Sequence, residues 1–246
     1  MGAKGEGLMA TFISAACSYL VGGYNIGTAT TQAKVTLSAE PLDITAFGQS
    51  AERVSTAGGL RKDSIDWAGF FADGSESPDA YLDGSLGTVG DVVSFAIGSA
   101  LGDRAYCGTV LSEKVAVGGE VRGLVRYEAT WRPDNTLDRC KHIGKVTTGS
   151  AGATATGTID DSALSTGTGQ FYSHIIVLGG TGTRDITLQH SSDGTTWTNK
   201  VQANYSGTGS KKSEFTGTLN RYIRMIVDYT VGTGGTVGWF AAYKRP

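Results

Sequence analysis

The sequence predicts an all-β protein with one short helix, on three observations. The 246 residues include 37 Gly and only 4 Pro, and Thr, Val and Ser are abundant. Apolar and polar residues alternate along several short segments, and Gly-rich stretches separate those segments. β-branched residues suit a pleated sheet, Gly suits tight turns, and alternation gives a strand one buried face. We therefore expect β-sandwich or barrel architecture.

Five strands are predicted in the first part of the chain. They are expected at residues 33–39, 65–74, 91–99, 105–117 and 120–133. In the last segment an apolar set with Tyr127, Ala129 and Trp131 alternates with a mostly charged set. One face of this strand is therefore expected in a core and the other on a surface.

The segment SPDAYLDGSLG predicts the single helix, over residues 77–87. Ser77 can cap it, Pro78 fits the first helical position, and Asp79 suits the positive end of the helix dipole. Gly87 can end it, because Gly adopts the left-handed conformation that follows many helices.

The composition changes after residue 146. Residues 147–169 are almost all small, which favours a linker or the first strand of a second domain. Further strands are expected at 171–179, 184–192, 196–204, 213–219, 221–230 and 236–244, with Gly-rich turns between them. The predicted organisation is a first domain at 1–146 and a second, C-terminal β-sandwich at 170–246.

The charge balance argues against a protein that grips nucleic acid. Residues 1–146 have 13 Lys+Arg and 17 Asp+Glu, a net −4, and the remainder has 8 and 6, a net +2. Binding through phosphates needs a strong basic excess. DNA would sooner pass such a surface than adhere to it.

The first residues and the cysteines give no sign of a membrane or extracellular framework. The segment MGAKGEGLMATFISAACSYLVGG is too short and too polar to span a bilayer, and we interpret it as an ordered or docking arm of a protein made in the cytosol. Cys17, Cys107 and Cys140 are an odd number without short spacing, which favours buried or spare thiols over disulfides or zinc ligands.

No catalytic or metal-binding constellation is predicted. His190, Ser191 and Asp193 are neighbours, but a triad converges in space rather than in sequence, and SSDG is typical of a hairpin turn. DGSESPD lacks the spacing of a calcium loop, and His142 and His174 are isolated. We expect no enzyme, no cofactor and no metal.

Four aromatic residues of the second part were considered as a binding platform: Trp197, Tyr205, Tyr222 and Trp239. At least two are expected in the core of a β-sandwich. The others support an alternative function, a carbohydrate-binding or adhesin β-sandwich protein of a virion or cell surface, with a host-surface glycan as partner.

The first part resembles the major tail tube proteins of long, flexible-tailed (siphovirus) bacteriophages. The resemblance lies in VGGYNI, DITAFG, the GL that ends a long polar excursion and the WAGF of the return strand, then in DAYLDGSLG and VLSEKVAVGGEVRGLVRYEATW. It covers about residues 8–143. The second part is similar to the extra β-sandwich domains that phage tail proteins display outside the virion.

This resemblance implies a structural virion protein. Its subunits would form hexameric rings by pairing strand edges, and the rings would stack around a tape-measure protein into a conduit for DNA ejection. DNA would transit without specific binding, and nothing would insert into a membrane. The implied location is the virion tail, assembled in the cytoplasm of the host bacterium.

A tail tube also needs a projecting loop that contacts the next ring, and the excursion from Thr45 to Leu60 is the expected one. The predicted contact residues are Thr45, Phe47, Arg53, Leu60, Arg61 and Lys62. An ordinary hairpin loop is the alternative, but loops of this length usually have a function. If residues 120–131 lined the lumen, Arg122, Arg126 and Arg132 would form a basic wall, so we expect that face elsewhere or paired with carboxylates.

Overall fold

A computed structural model describes residues 17–39, 42–43, 55–56, 61–71, 78–119, 123–148, 152–178, 182–229 and 236–246. It contains strands and one α-helix, which confirms the predicted all-β class. The first strands are β1 (Ser18–Val21), β2 (Tyr24–Asn25), β3 (Thr30–Thr36), β4 (Leu42–Asp43), β5 (Ser55–Thr56), β6 (Ser64–Phe70), β7 (Val89–Ala96), β8 (Arg104–Gly118) and β9 (Arg126–Pro133). The later ones are β10 (Asp138–Thr148), β11 (Gly152–Ala155), β12 (Ile159–Asp160), β13 (Ser165–Leu178), β14 (Arg184–Ser191), β15 (Thr198–Tyr205), β16 (Gly209–Leu219), β17 (Tyr222–Tyr229) and β18 (Thr236–Lys244).

The helix α1 (Pro78–Ser85) lies within the predicted segment, and Gly87 follows it with a positive φ of 77°. The last predicted strand of the first part begins later than expected, at Arg126 rather than at residue 120. Its partner β8 ends at Gly118, which is paired with Arg126, so residues 123–125 have no β8 residue to pair with.

One sheet runs through most of the molecule, in the order β16-β13-β18-β10-β8-β7-β1-β2. The long strand β8 connects two parts of it: Arg104 to Cys107 pair with β10, and Val110 to Gly118 pair with β9. From β9 the pairing continues to β6 and then to β3. A second sheet has the order β11-β17-β14-β15, with β12 also on β17. The small pair β4-β5 stands apart.

Three hydrophobic clusters fill this architecture. The first cluster lies among β1, β6, β7, β8, β9 and α1 and contains Trp67 and Trp131. The last cluster lies between the second sheet and β16-β13-β18-β10 and contains Trp239 and Tyr243. A central cluster joins the two halves, because Phe240 of β18 packs there with residues of β1, β7 and β8.

Strand β18 is therefore buried on both faces. Alternate residues enter different clusters: Trp239 belongs to the last cluster and Phe240 to the central one. The predicted small-residue segment at 147–169 contains the end of β10, the short strands β11 and β12, and the start of β13. The division into 1–146 and 170–246 stays a prediction, while the main sheet includes strands from both sides of it.

Among the described residues, no helix has the length and apolar character needed to cross a bilayer.

Candidate assembly surface

Strand β3 presents an edge of the first part of the molecule. It pairs with β6 along one side, from Thr30↔Gly69 to Thr36↔Ser64, and no described strand pairs with its other side. The side chains of Gln32 and Lys34 are exposed on it. An unpaired edge offers a row of N–H and C=O groups to another chain.

The hairpin from β3 to β6 is held at the base of the polar excursion. Lys62 donates its N–H to the carbonyl oxygen of Ser38 at 2.9 Å. Arg61 is ion-paired with Asp63 at 2.8 Å, and the Asp63 carboxylate is fully buried and accepts N–H groups of Ser38 and Leu137, each at 3.1 Å. This carboxylate fixes the base of the loop to two other segments.

Of the six predicted contact residues, Arg61 and Lys62 are described and both are exposed. Thr45, Phe47, Arg53 and Leu60 lie outside the described residues. The role of all six in ring contacts stays a prediction.

An apolar patch lies beside the first residue of β3. The patch comprises Phe71, Val117, Leu124 and Val125, which are 43%, 57%, 68% and 44% exposed. Phe71 donates its N–H to Val125 at 2.9 Å and its ring stacks on Tyr127 at 5.7 Å. Gly69 pairs with both Thr30 and Tyr127, which places β3 beside the patch. Contiguous exposed apolar side chains mark protein contacts more often than isolated ones do.

One feature of the sequence indicates this patch. Leu124 stands among the charged positions of its segment, so the polar face of the predicted strand contains one large apolar residue. A hollow of about 580 Å³, lined in part by Val117, Gly119 and Leu124, opens there.

The edges of the second part differ from that of β3, because lysines close them. Lys200 of β15 donates its Nζ to the carbonyl oxygens of Thr216 and Thr218 on β16, at 2.7 and 2.8 Å. Lys211 of β16 donates to the carbonyl oxygen of Asn204 on β15. Such lysines protect a strand edge from pairing with another chain.

The charged face of β9 is partly paired with carboxylates. Arg132 is ion-paired with Glu113 at 2.5 Å, and Lys114 lies 3.9 Å from Glu128. Arg126 lies over the ring of Phe70 at 5.8 Å. Arg122 lies outside the described residues.

The residues considered for catalysis form a turn, as predicted. Ser191 donates its hydroxyl to Asp193 at 2.8 Å, and Asp193 accepts the N–H groups of Thr195 and Thr196 at 2.8 and 2.7 Å. The N–H groups of Thr196 and Thr195 hold the pKa of Asp193 well below its usual value. His190 instead accepts the N–H of Asn220 at 3.0 Å.

The isolated histidines are buried, and the cysteines form no metal site. His174 lies 2.8 Å from Ser94, and His142 stacks on Phe240 at 4.8 Å. Burial raises the pKa of the Cys140 thiol, with Cys107 beside it adding to the effect. Among the described residues, no group of three or more His, Cys, Asp or Glu could hold a metal ion.

Two of the four candidate aromatics, Tyr205 and Trp239, are core residues, as expected. Trp197 and Tyr222 are half-buried, and an arginine lies over each ring: Arg224 at 4.1 Å and Arg221 at 5.0 Å. A guanidinium therefore occupies a ring face that a sugar would need for stacking. A glycan partner for residues 170–246 stays a prediction.

No known protein-family model matches the chain, and no curated protein matches it. Among solved structures, it is similar to the tail of an empty gene transfer agent particle, at 21% identity over 45% of this chain and 81% of that one, with a TM-score of 0.36. It is similar to the SPP1 Dit protein, described as a hub adsorption apparatus of phages that infect Gram-positive hosts, at 14% identity over 93% and 99%, with a TM-score of 0.35. A chain of the activated phage p2 baseplate gives 6% identity over 94% and 98%, with a TM-score of 0.30. At these identities and TM-scores the similarities assign neither a family nor a function.

Proposed function

We propose that this chain is a structural virion protein, the major subunit of a phage tail tube, which assembles into stacked hexameric rings. The observation that carries this proposal is the edge of β3 with the apolar patch at its end. A lone molecule would leave hydrogen-bonding groups and large apolar side chains in water, and a neighbouring subunit would cover both.

The contrast between edges supports this role. Natural sheets protect their edges with lysines, short strands or covering segments, as Lys200 and Lys211 do in the second part. Because these side chains are only about half exposed, covering each of them would stabilise a contact by roughly 1 kcal/mol. The same chain thus has lysine-covered strand edges in its second part and an edge of β3 without a described partner in its first part.

In this proposal the two parts of the chain have different roles. Residues 1–146 would form the ring, and residues 170–246 would be displayed outside it. The tape-measure protein would occupy the lumen during assembly in the host cytoplasm, and DNA would later pass through. The net charge of −4 on residues 1–146 suits passage without adhesion. The work of the protein is assembly, not catalysis.

Two proline substitutions in β3 test the proposal. In an antiparallel strand, neighbouring residues direct their N–H groups to opposite sides, so one of Ala33 and Lys34 points toward β6 and the other toward the edge. Proline removes that donor. We expect one of Ala33→Pro and Lys34→Pro to destabilise the monomer and the other to leave it folded but unable to form rings.

The measurements are thermal unfolding of each subunit and negative-stain electron microscopy of concentrated protein. The wild-type chain should give rings or hollow tubes. A folded wild-type chain that stays monomeric at every concentration tested, or two folded proline variants that both form rings, would contradict the proposal.

A further inference from the structure

An open groove of about 820 Å³ lies where the first residues of β8 meet β10 and the end of β18. Its lining carries one carboxylate, Asp103, and five cationic side chains: Arg104, Arg139, Lys141, Lys244 and Arg245. A smaller hollow, lined by Arg61, Arg139 and Lys244 among others, adjoins it through shared residues. This region is the basic groove.

The carboxylates of the chain neutralise only part of the basic groove. Asp161, whose side chain is 1% exposed, is ion-paired with both Lys141 and Arg245. Asp138 is ion-paired with Lys244 at 2.7 Å. Arg104 and Arg139 have neither an ion pair nor a side-chain hydrogen bond with any described residue, and both are exposed. The described part of the chain thus leaves two guanidinium groups of the groove without a carboxylate partner.

The positions of these cations make the excess charge costly for a lone molecule. Arg104 lies directly opposite Lys141 across the β8–β10 ladder, and Arg139 is two residues before Lys141 on the same face. Like charges at facing positions of a sheet repel each other. An anion from outside the molecule would remove that repulsion.

The same chain carries a matching surface on α1. Asp79 and Asp83 are one helical turn apart, and no cation of the described residues lies within ion-pair distance of either. Asp83 is exposed, whereas Asp79 accepts the hydroxyl of Tyr127. Among the described residues, neither carboxylate has an ion-pair partner, and neither do the two arginines.

The two charged surfaces lie apart along β8: α1 lies between Ser112, which is 3.3 Å from Ser85, and the far end of the strand, and the groove lies at Arg104. Tyr127, which contacts Asp79, pairs with Val117 near one end of the strand, and Arg104 begins the other. Thirteen residues of extended chain separate Arg104 from Val117, or at most about 43 Å. Complementary surfaces at opposite ends of one molecule produce head-to-tail contacts, which grow into an open stack.

We propose that the basic groove of one copy binds the α1 carboxylates of a second copy stacked on its end. This inference rests on the proposed function and specifies which surfaces hold one ring to the next. The contact is electrostatic, so added salt should weaken it.

Charge reversal tests the inference. The double variant Arg104→Glu, Arg139→Glu should still form rings but should raise the protein concentration needed for tube growth by about tenfold or more. Asp83→Arg should have the same effect. Combining all three substitutions should restore tube growth in part, because the cation introduced on α1 then faces the carboxylates introduced in the groove, while Asp79 still opposes them.

Lys145→Glu is the matched control. Lys145 is an exposed lysine of the same strand β10, outside the basic groove and without an ion pair among the described residues. The Lys145→Glu substitution changes the net charge by the same amount as each of the two arginine substitutions does. It should leave tube growth unchanged. Circular dichroism and thermal unfolding should show every variant folded.

The outcomes separate the two proposals. If the wild-type chain forms no rings, the proposed function fails and this inference fails with it. If it forms tubes and the double variant grows them as readily as Lys145→Glu, only this inference is overturned. The groove would instead hold a phosphate polymer if labelled polyphosphate bound the wild-type subunit, lost its binding in the double variant, and tube growth stayed normal.

Discussion

At the scale of single residues, the two histidines of the central cluster are held neutral by their surroundings. His174 is completely buried and lies 2.8 Å from the hydroxyl of Ser94, which in turn donates to the Cys107 sulfur at 3.3 Å. Burial lowers the pKa of His174 to about 3 and also lowers the pKa of His142. Both histidines lie where the two halves of the molecule meet.

The stability of the protein should therefore fall as the solution becomes mildly acidic. An unfolded histidine titrates near pH 6.5, so below that pH the unfolded chain binds protons that the native chain excludes. The stabilisation is complete above pH 6.5 and is lost as the pH decreases toward the folded pKa values. Between these pH values His174 contributes a slope that approaches about 1.4 kcal/mol per pH unit, and His142 acts in the same direction.

His174→Gln should remove its share of this slope, because an amide can still bond to Ser94 but does not titrate. The free energy of unfolding should be measured by urea denaturation between pH 7 and 5, where the carboxylates remain ionised. An unchanged slope in the variant would show that His174 is not the titrating group.

Few of the residue contacts could be predicted from the sequence. The turn at Ser191–Asp193 could, because its partners lie within three residues of each other. The Asp161 network could not: its partners Lys141 and Arg245 are 20 and 84 positions away. Burial alone would raise the pKa of Asp161, but hydrogen bonds from Lys141, Arg245 and Tyr243 lower it overall. Only the folded chain brings these groups together.

At the scale of elements, alternation predicted most strands because one face of each is buried. Tyr127, Ala129 and Trp131 are buried on β9, with exposed or half-exposed neighbours between them. The same pattern failed at residues 123–125, since pairing depends on where β8 ends and not on hydrophobicity. The sequence also does not predict which strand edge is closed. Lys200 lies on β15 of the second sheet, and it contacts β16 only because the folded chain brings the two sheets together.

Removing the Lys200 contact should open the edge of β16. Lys200→Met keeps an unbranched stem against Phe215 but cannot donate to the carbonyl oxygens of Thr216 and Thr218. We expect irregular self-association at high concentration, with at most about 1 kcal/mol lost in subunit stability. Light scattering and sedimentation velocity would measure it.

Lys200→Arg is the matched control, since a guanidinium retains donors and charge at this position. It should behave as the wild-type chain does. Equal scattering from Lys200→Met and the wild-type chain would mean that the lysine does not protect the edge.

At the scale of the whole molecule, the main sheet joins strands from both sides of the predicted boundary. Strand β10 pairs with β8 and with β18, so the backbone ladder crosses the predicted boundary. A hydrogen bond crosses the same boundary, because Val92 of β7 donates its N–H to the hydroxyl of Ser210 of β16 at 3.0 Å. Part of the small-residue segment after residue 146 is paired in a sheet, since Gly152 to Ala155 pair with β17.

A shortened chain can therefore keep all the residues of the proposed ring contact and still fail to fold. A chain that ends at residue 148 keeps β3, the apolar patch and α1, but it loses Tyr172, Phe240 and Ala242 from the central cluster. Leu20, Val92 and Cys107 would then face water, and β10 would lose the strand β18 beside it. We expect this shortened chain to be aggregated or loosely packed, with strong binding of a hydrophobic dye and no sharp thermal transition. A shortened chain that unfolds cooperatively and forms rings would instead show that residues 170–246 are a separate domain on a true linker.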